Sequence, residues 1–150
     1  VNSCIRDVIQ GTNVTIYNFV NLYGCKIGDN SKIGSFVEMQ RGSEIGKCCK
    51  VSSHSFICEG VIIGNNVFIG HGVIFTNDKY PKVYDSTWEP LQTIVEDNVS
   101  IGSGAVILPE ISIGENSVIG AGSVVTKDVL QNTIVIGNPA RFYKYVTDER

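Results

Sequence analysis

Every sixth residue from Ile27 is apolar, and the rule holds for nine consecutive units: Ile27, Ile33, Met39, Ile45, Val51, Ile57, Ile63, Ile69 and Phe75. It lapses, then resumes in another phase as Val95, Ile101, Ile107, Ile113, Ile119 and Val125. With 43% apolar residues overall, fifteen apolar positions out of fifteen are not chance. A period of six keeps nothing on one side of a 3.6-residue helix. It does suit very short strands. Four residues after each apolar position stands a smaller one, such as Ser31, Val37, Ser43, Cys49 and Ser55, or Val99, Ala105 and Ser117 later on. That residue lies two before the next apolar position, so the two share one face of a strand. The glycine that often follows, as at Gly28, Gly34, Gly46, Gly64, Gly70, Gly102, Gly114 and Gly120, predicts a turn there.

Three such strands close a triangular coil of about 18 residues, and the coils stack through main-chain hydrogen bonds about 4.8 Å apart. The fold is therefore all-β: a parallel β-helix of hexapeptide repeats, with one excursion loop and a short C-terminal cap. Crossovers between parallel strands are generally right-handed; a left-handed coil is implied only by the family resemblance given below. One domain spans 1–150. Residues 1–26 form irregular first coils, because Leu22 to Ile27 is five residues and not six, which predicts a kink. Regular coils fill 27–75 and 95–130, a loop occupies 76–94, and 131–150 make a turn and cap. Pro139 is expected to stop the strand there, and the tail from Phe142 to Arg150 to cap the last coil or pack on a neighbour.

A net charge of −3 argues against nonspecific nucleic-acid binding. No apolar run approaches the roughly 20 residues of a membrane-spanning helix. The five cysteines are odd in number and lack zinc-type spacing, which reads as reduced thiols in a cytoplasmic protein. No metal is expected.

The spacing of 18 stacks Arg41, Glu59 and Asn77 in one outward column, with Gly42, Gly60 and Asp78 on one side and Gln40, Cys58 and Thr76 on the other. The two glycines would bare the backbone beside the polar column and let a ligand approach. The bland alternative is an exposed ion pair between Arg41 and Glu59, worth under about 1 kcal/mol. His71 stacks over Ser53 and Ser35 on the preceding corner, and His54 precedes Glu59. A lone histidine is more often structural than catalytic. The loop carries Tyr80, Lys82, Tyr84 and Trp88, with two prolines that favour an ordered excursion. Near the end, small residues from Gly120 to Ser123 lead to Lys127, and Arg141 and Lys144 follow, a pattern suited to an extended ligand with phosphates.

The stretches Ser52-Ser53-His54-Ser55-Phe56-Ile57-Cys58-Glu59-Gly60-Val61 and Gly70-His71-Gly72-Val73-Ile74-Phe75-Thr76-Asn77-Asp78-Lys79-Tyr80-Pro81 resemble the hexapeptide-repeat acetyltransferases, in particular the branch that N-acetylates nucleotide-linked 3-amino sugars. The ending Gly137-Asn138-Pro139-Ala140-Arg141 matches the wider family. The resemblance implies a left-handed coil and a homotrimer with acetyl-CoA lying between adjacent prisms. It implies an acceptor bearing UDP or dTDP, in surface polysaccharide (lipopolysaccharide) biosynthesis. Asn77 is expected to hold the amine against the thioester, and Glu59 to orient that amine or take its proton late. Arg41, Gln40, His54, Asp78, Tyr80 and Lys82 are assigned to the sugar substrate. Ala121 is assigned to the pantetheine arm, and Lys127 and Arg141 to the CoA phosphates.

An amine acceptor fits the lack of an obvious base. An amine near electron-withdrawing groups titrates near about 8, by analogy with an α-amino group, and is partly neutral at neutral pH. A hydroxyl, with a pKa near about 16, needs a positioned base. Catalysis by positioning and oxyanion donors is therefore expected. The rival enzyme is a sugar O-acetyltransferase with His71 or His54 as base. A carbonic anhydrase on this fold needs three histidines per metal and the chain has two. A third rival is a non-catalytic scaffold or an ice-binding prism; the latter wants flat threonine arrays, and the outward positions here are mixed and charged.

Overall fold

The computed structural model describes residues 2–147. They form a left-handed, three-sided prism of stacked parallel coils, with no helix among them. No helix of the described residues is long and apolar enough to cross a membrane. The first face has seven strands, from Cys4–Arg6 to Val124–Val125. The second has six, from Ile9–Gln10 to Ser112–Ile113. The third has eight, from Thr15–Ile16 to the terminal Ala140–Tyr145.

The six-residue rhythm is the core. Leu22, Ile33, Met39, Ile57, Ile69, Phe75, Ile101, Ile107 and Ile113 are all fully buried. The smaller inward positions are buried beside them, and several are hydroxyls returned to a main-chain oxygen: Ser55 Oγ donates to Gly70 O at 2.8 Å, and Ser43 Oγ to Gln40 O at 2.6 Å. Buried polar atoms satisfied locally cost little.

The glycines after each apolar residue do not make the turns, contrary to the sequence expectation. The corner residue stands two positions later, in the left-handed region. At the second corner it is Asn30, Cys48, Asn66, Asn98 and Asn116, with φ between 56° and 61°. Asparagine tolerates this backbone better than other L-residues. The glycine has a different cause: a Cβ on Gly28 would lie 2.4 Å from the carbonyl of Gly46 in the next coil. Coils held at hydrogen-bonding distance leave no room for a side chain there.

Three departures from regularity follow residues lost from or added to the count of 18. Cys4 pairs with Asn21 and Thr15 with Lys32, seventeen residues apart, whereas Lys26 pairs with Glu44, eighteen apart. One residue is lost between Arg6 and Ile9, where Asp7 takes φ +51°, and another between Tyr23 and Lys26, where Gly24 takes φ +60°. Val61 pairs with Thr93, thirty-two apart, so the loop leaves and returns without disturbing the stack. The return begins at Thr93, two residues before the expected Val95, because Thr93 fills the small inward position beside Val61.

The cap is a β-hairpin, and Pro139 marks its turn. Thr133–Gly137 continues the third face in parallel, with Ile134 against Val118, and Ala140–Tyr145 folds back antiparallel on it. The hairpin thus extends the last strand edge of the third face, with Ala140 packed against the core, and Phe142, Tyr143 and Tyr145 stay exposed. The end of the expected cap, 148–150, lies outside the described residues.

The thiols divide sharply. Cys25, Cys49 and Cys58 are buried and Cys48 is exposed at the second corner. Burial pushes the Cys58 thiol up to about 11, and the neighbouring Glu59 charge adds to this. A thiol needs its thiolate and an approach path to react. Iodoacetamide labelling of the native protein at pH 8 is expected to modify Cys48 first and to spare those three, read by peptide mass mapping. Labelling at Cys58 ahead of Cys48 would contradict this packing.

Candidate active site

The loop root lies on the first corner, and the spacing of 18 places its residues as expected. Phe56 pairs with Ile74 and with Glu38, which brings Asn77, Glu59 and Arg41 onto successive coils. Asn77 Nδ2 donates to the main-chain oxygen of Glu59 at 3.0 Å. That bond orients the amide and leaves Oδ1 facing away from it. Among the described residues neither Asn77 Oδ1 nor the Glu59 carboxylate meets a hydrogen-bond donor. Both residues are half-buried, so a carboxylate and an amide oxygen stand together at a partly shielded corner.

Gln40 serves this corner from below. Its Oε1 accepts from the Glu59 amide at 3.3 Å, and its Nε2 donates to Glu38 Oε1 at 3.2 Å. Both ends of the side chain are engaged within the protein, so Gln40 positions Glu59. Arg41 is exposed and lies over Gly24; no ion pair joins it to Glu59 among the described residues. The alternative of a simple surface salt bridge is therefore not what the corner contains.

The space beside Gly60 is used by the protein itself. A Cβ there would lie 3.0 Å from the Leu91 carbonyl, and φ is +93°. Thr93 N donates to Gly60 O at 3.0 Å, and Leu91 N to Asn77 O at 3.1 Å. The returning loop thus sits on Gly60, which corrects the expectation of ligand approach at that glycine. Gly42 stays open, its nearest neighbour being Glu59 Cγ at 3.9 Å.

The loop is ordered by short side-chain turns, as aspartates favour. Asp78 Oδ1 accepts from Tyr80 N at 2.9 Å, and Asp85 Oδ1 from Thr87 N at 2.9 Å. Lys79 is latched by an ion pair to Glu110 on the coil above, and the same bond raises the lysine pKa. The latch escaped sequence reading because the loop destroys the count of 18. Recounting from Val95 would have set Glu110 at the same corner as Gly60. Tyr80 and Lys82 are exposed.

Two expected residues lie elsewhere in the chain. His54 and His71 stand on the third corner, across the first face from Asn77. His54 stacks on Phe36 at 4.8 Å, which stacks on Phe19 at 5.2 Å, a column of rings with left-handed backbone. His71 Nδ1 is 2.8 Å from Ser53 Oγ, and His71 N donates to Ser103 Oγ at 3.1 Å. Above them the rings give way to Gly72, Gly104 and Gly122; a Cβ on Gly72 or Gly122 would meet nothing within 4 Å. Ala121 lies on this open upper corner, in the column of Ser103 and His71. Lys127 and Arg141 line one hollow of about 220 Å3 at the C-terminal end, with Val125, Asp128 and Phe142.

Comparison with known proteins agrees with this architecture. Residues 92–127 match the family model of the bacterial transferase hexapeptide (six repeats). The chain is 33% identical over 151 residues to the bifunctional protein GlmU of Synechococcus sp. (strain CC9605), covering 100% of this chain and 32% of that protein. It spans about a third of the length of the first such curated relatives. AntD, an N-acyltransferase from Bacillus cereus in complex with dTDP and 3-hydroxybutyryl-CoA, superposes with a TM-score of 0.83 at 21% identity, over 94% of this chain and 84% of that one. At that identity the likeness establishes the fold. The hexapeptide-repeat-containing acetyltransferase VCA0836 from Vibrio cholerae is 28% identical, with a TM-score of 0.64, over 92% of this chain and 73% of that one.

Proposed function

We propose that this chain, a left-handed hexapeptide-repeat β-helix resembling the hexapeptide-repeat acetyltransferases, transfers the acetyl group of acetyl-CoA to the 3-amino group of a UDP- or dTDP-linked sugar. The observation that carries the reading is the Asn77 amide, fixed by Glu59 O at 3.0 Å with its own oxygen directed away, at a corner that holds no histidine among the described residues. A carboxamide oxygen accepts an N–H and so turns the nitrogen lone pair outward. It is too weak a base to take a proton from a hydroxyl. An amine that is partly neutral at working pH needs only that orientation.

In this scheme the amine nitrogen attacks the thioester carbonyl and the C–S bond breaks as the tetrahedral adduct collapses. The nitrogen loses one proton to the Glu59 carboxylate, which passes it to the departing thiolate of CoA, so that the amide and the free thiol are the products. The open upper corner with Ala121 suits the pantetheine arm, and Lys127 with Arg141 suits the CoA phosphates. Asp78, with one oxygen in its own turn, and Tyr80 and Lys82 border the acceptor in this scheme, and Arg41, exposed on the coil below Glu59, is assigned to it too. His54 and His71 would join this site from a second subunit of a trimer. The reading also supports a role in surface polysaccharide biosynthesis in the cytoplasm. The homologue comparison supports it at the level of acyl transfer.

His71 favours a second reading, O-acetylation. The Ser53 contact at 2.8 Å fixes the ring through Nδ1 and leaves Nε2 for a substrate hydroxyl. A panel of 3-amino and 3-hydroxy nucleotide sugars with acetyl-CoA, followed by thiol release, separates the two. On the amino sugar, His71→Ala is expected to lower kcat less than about tenfold, short of the 10²–10⁴-fold contributed by a general base. A larger loss with a hydroxyl acceptor overturns the N-acetyl reading.

A further inference from the structure

Two lysines on the third face stand where a sheet would ordinarily avoid them. Lys32 and Lys50 are in-register neighbours on adjacent parallel strands, and both are exposed on the outward side. Like charges directly opposed across strands repel. The matching position on the second face holds Lys26 and Glu44, also in register and joined by an ion pair of 2.9 Å. Among the described residues, neither Lys32 nor Lys50 has such a carboxylate. Lys50 Nζ instead lies 5.6 Å from the centroid of the Phe68 ring.

The lysines border a hollow of about 550 Å3, shared with Tyr17, Phe36, Ser52 and His54. That volume falls within the range of small-molecule sites. Ser52 is the second, independent observation. It is 3% exposed, and its Oγ has no hydrogen-bond partner. The neighbouring coils carry Gly34 and Gly70 in its place, where an added Cβ would lie 2.7 Å and 2.6 Å from the next coil's backbone nitrogen. A hydroxyl at so crowded a position, buried and unpartnered on the wall of a cationic hollow, calls for an acceptor from outside.

We propose that this hollow binds the diphosphate of a nucleoside diphosphate, with Lys32 and Lys50 on the phosphates and the Ser52 hydroxyl, sealed in its present rotamer, turning to donate to a phosphate oxygen. Adjacent strands set the two cations about 4.8 Å apart at their roots, close enough for one diphosphate to answer both. Both faces of the Phe36 ring are taken by Phe19 and His54, so the base lies against Tyr17, which is 55% exposed. The assignment of this ligand to the acceptor, rather than to CoA, rests on the function proposed above, in which the third corner of one subunit meets the Asn77 corner of the next. Lys127 and Arg141 already offer cations for CoA at the other end of the prism.

Isothermal titration with UDP, dTDP, CoA and inorganic phosphate tests the assignment on the full chain, with Lys32→Gln, Lys50→Gln and, as control, Lys26→Gln. UDP or dTDP is expected to bind the unaltered protein, about tenfold more weakly to each of the first two variants, and with unchanged affinity to the control. CoA affinity is expected to stay constant across all four proteins. Circular dichroism melts check folding; relief of the repulsion should leave both lysine variants at least as stable as the parent. UDP and dTDP binding no better than phosphate overturns the proposal, as does equal nucleotide binding by the variants, or loss of CoA in their place. If nucleotide binding depends on both lysines but no amino sugar is acetylated, the hollow stands and the enzymatic reading falls. If acetylation proceeds with an unchanged KM in both variants, the reverse holds.

Discussion

Asn77→Ala is expected to lower kcat about 10²–10³-fold on a 3-amino nucleotide sugar, the loss seen when one preorganised polar group is removed from an acyl-transfer site. The side chain has two ends with different tasks. Its Nδ2 is committed to Glu59 O at 3.0 Å, and its Oδ1 is the end available to the amine. Removing the residue deletes the aligning acceptor and frees the loop root together. The loss should appear mainly in kcat, because diphosphate and sugar contacts elsewhere keep holding the ground state. Stability should change little. One half-buried hydrogen bond is worth about 1 kcal/mol, a shift of roughly 2–4 °C in Tm for a chain of this size. Steady-state kinetics with a thiol reagent, beside a thermal melt, separates the two effects. A kcat within about threefold of the parent at full occupancy would place the amine elsewhere, since even one well-aligned contact contributes more than that.

The placement of Asn77 was legible because nothing intervenes between residues 38 and 77. A count of 18 carries Arg41 to Glu59 and Glu59 to Asn77, and the register bears it out. The same count fails wherever chain is added or lost. It misses the Lys79–Glu110 latch across the loop and the residue lost between Arg6 and Ile9, whereas the short step from Leu22 to Ile27 is legible. The hairpin was hidden for another reason. Pro139 signals a break, but a break and a reversal look alike until the pairing of Ile136 with Arg141 is seen.

The glycines teach a finer point. Gly28 stands one after its apolar residue and Gly60 three after, and their causes differ: one is excluded from bearing a side chain by the coil above and the other by φ and the returning loop. The reading of Gly60 as ligand space failed because the loop's own carbonyl was not countable. Conversely, Phe19, Phe36 and His54 look like poor corner residues. Ring stacking supports them at left-handed positions that cost about 1–2 kcal/mol each.

Phe75→Ala is expected to destabilise the fold by about 3–5 kcal/mol, the range for a buried aromatic truncated in place. Phe75 is fully buried and pairs in register with Ile107 on the next coil. In a stacked solenoid each coil is held only by its neighbours, so stability is nearly a sum of coil and interface contributions. A cavity at Phe75 weakens the interfaces on both of its sides at once, in mid-stack and directly beneath the loop root. Relaxation cannot fill it, because the coil spacing is set by main-chain bonds such as Thr76 N to Ile107 O at 3.1 Å. At roughly 2–4 °C per kcal/mol, Tm should fall by about 6–20 °C. Ile9→Ala, on the open first coil where Ile9 is 65% exposed, provides the contrast and should change Tm by only about 1–2 °C, since surface substitutions stay within about 0.5 kcal/mol. Equal losses at the two positions would mean that the first coil is buried in the assembled protein. A Phe75→Ala protein as stable as the parent would mean that the six-residue column does not hold the prism together.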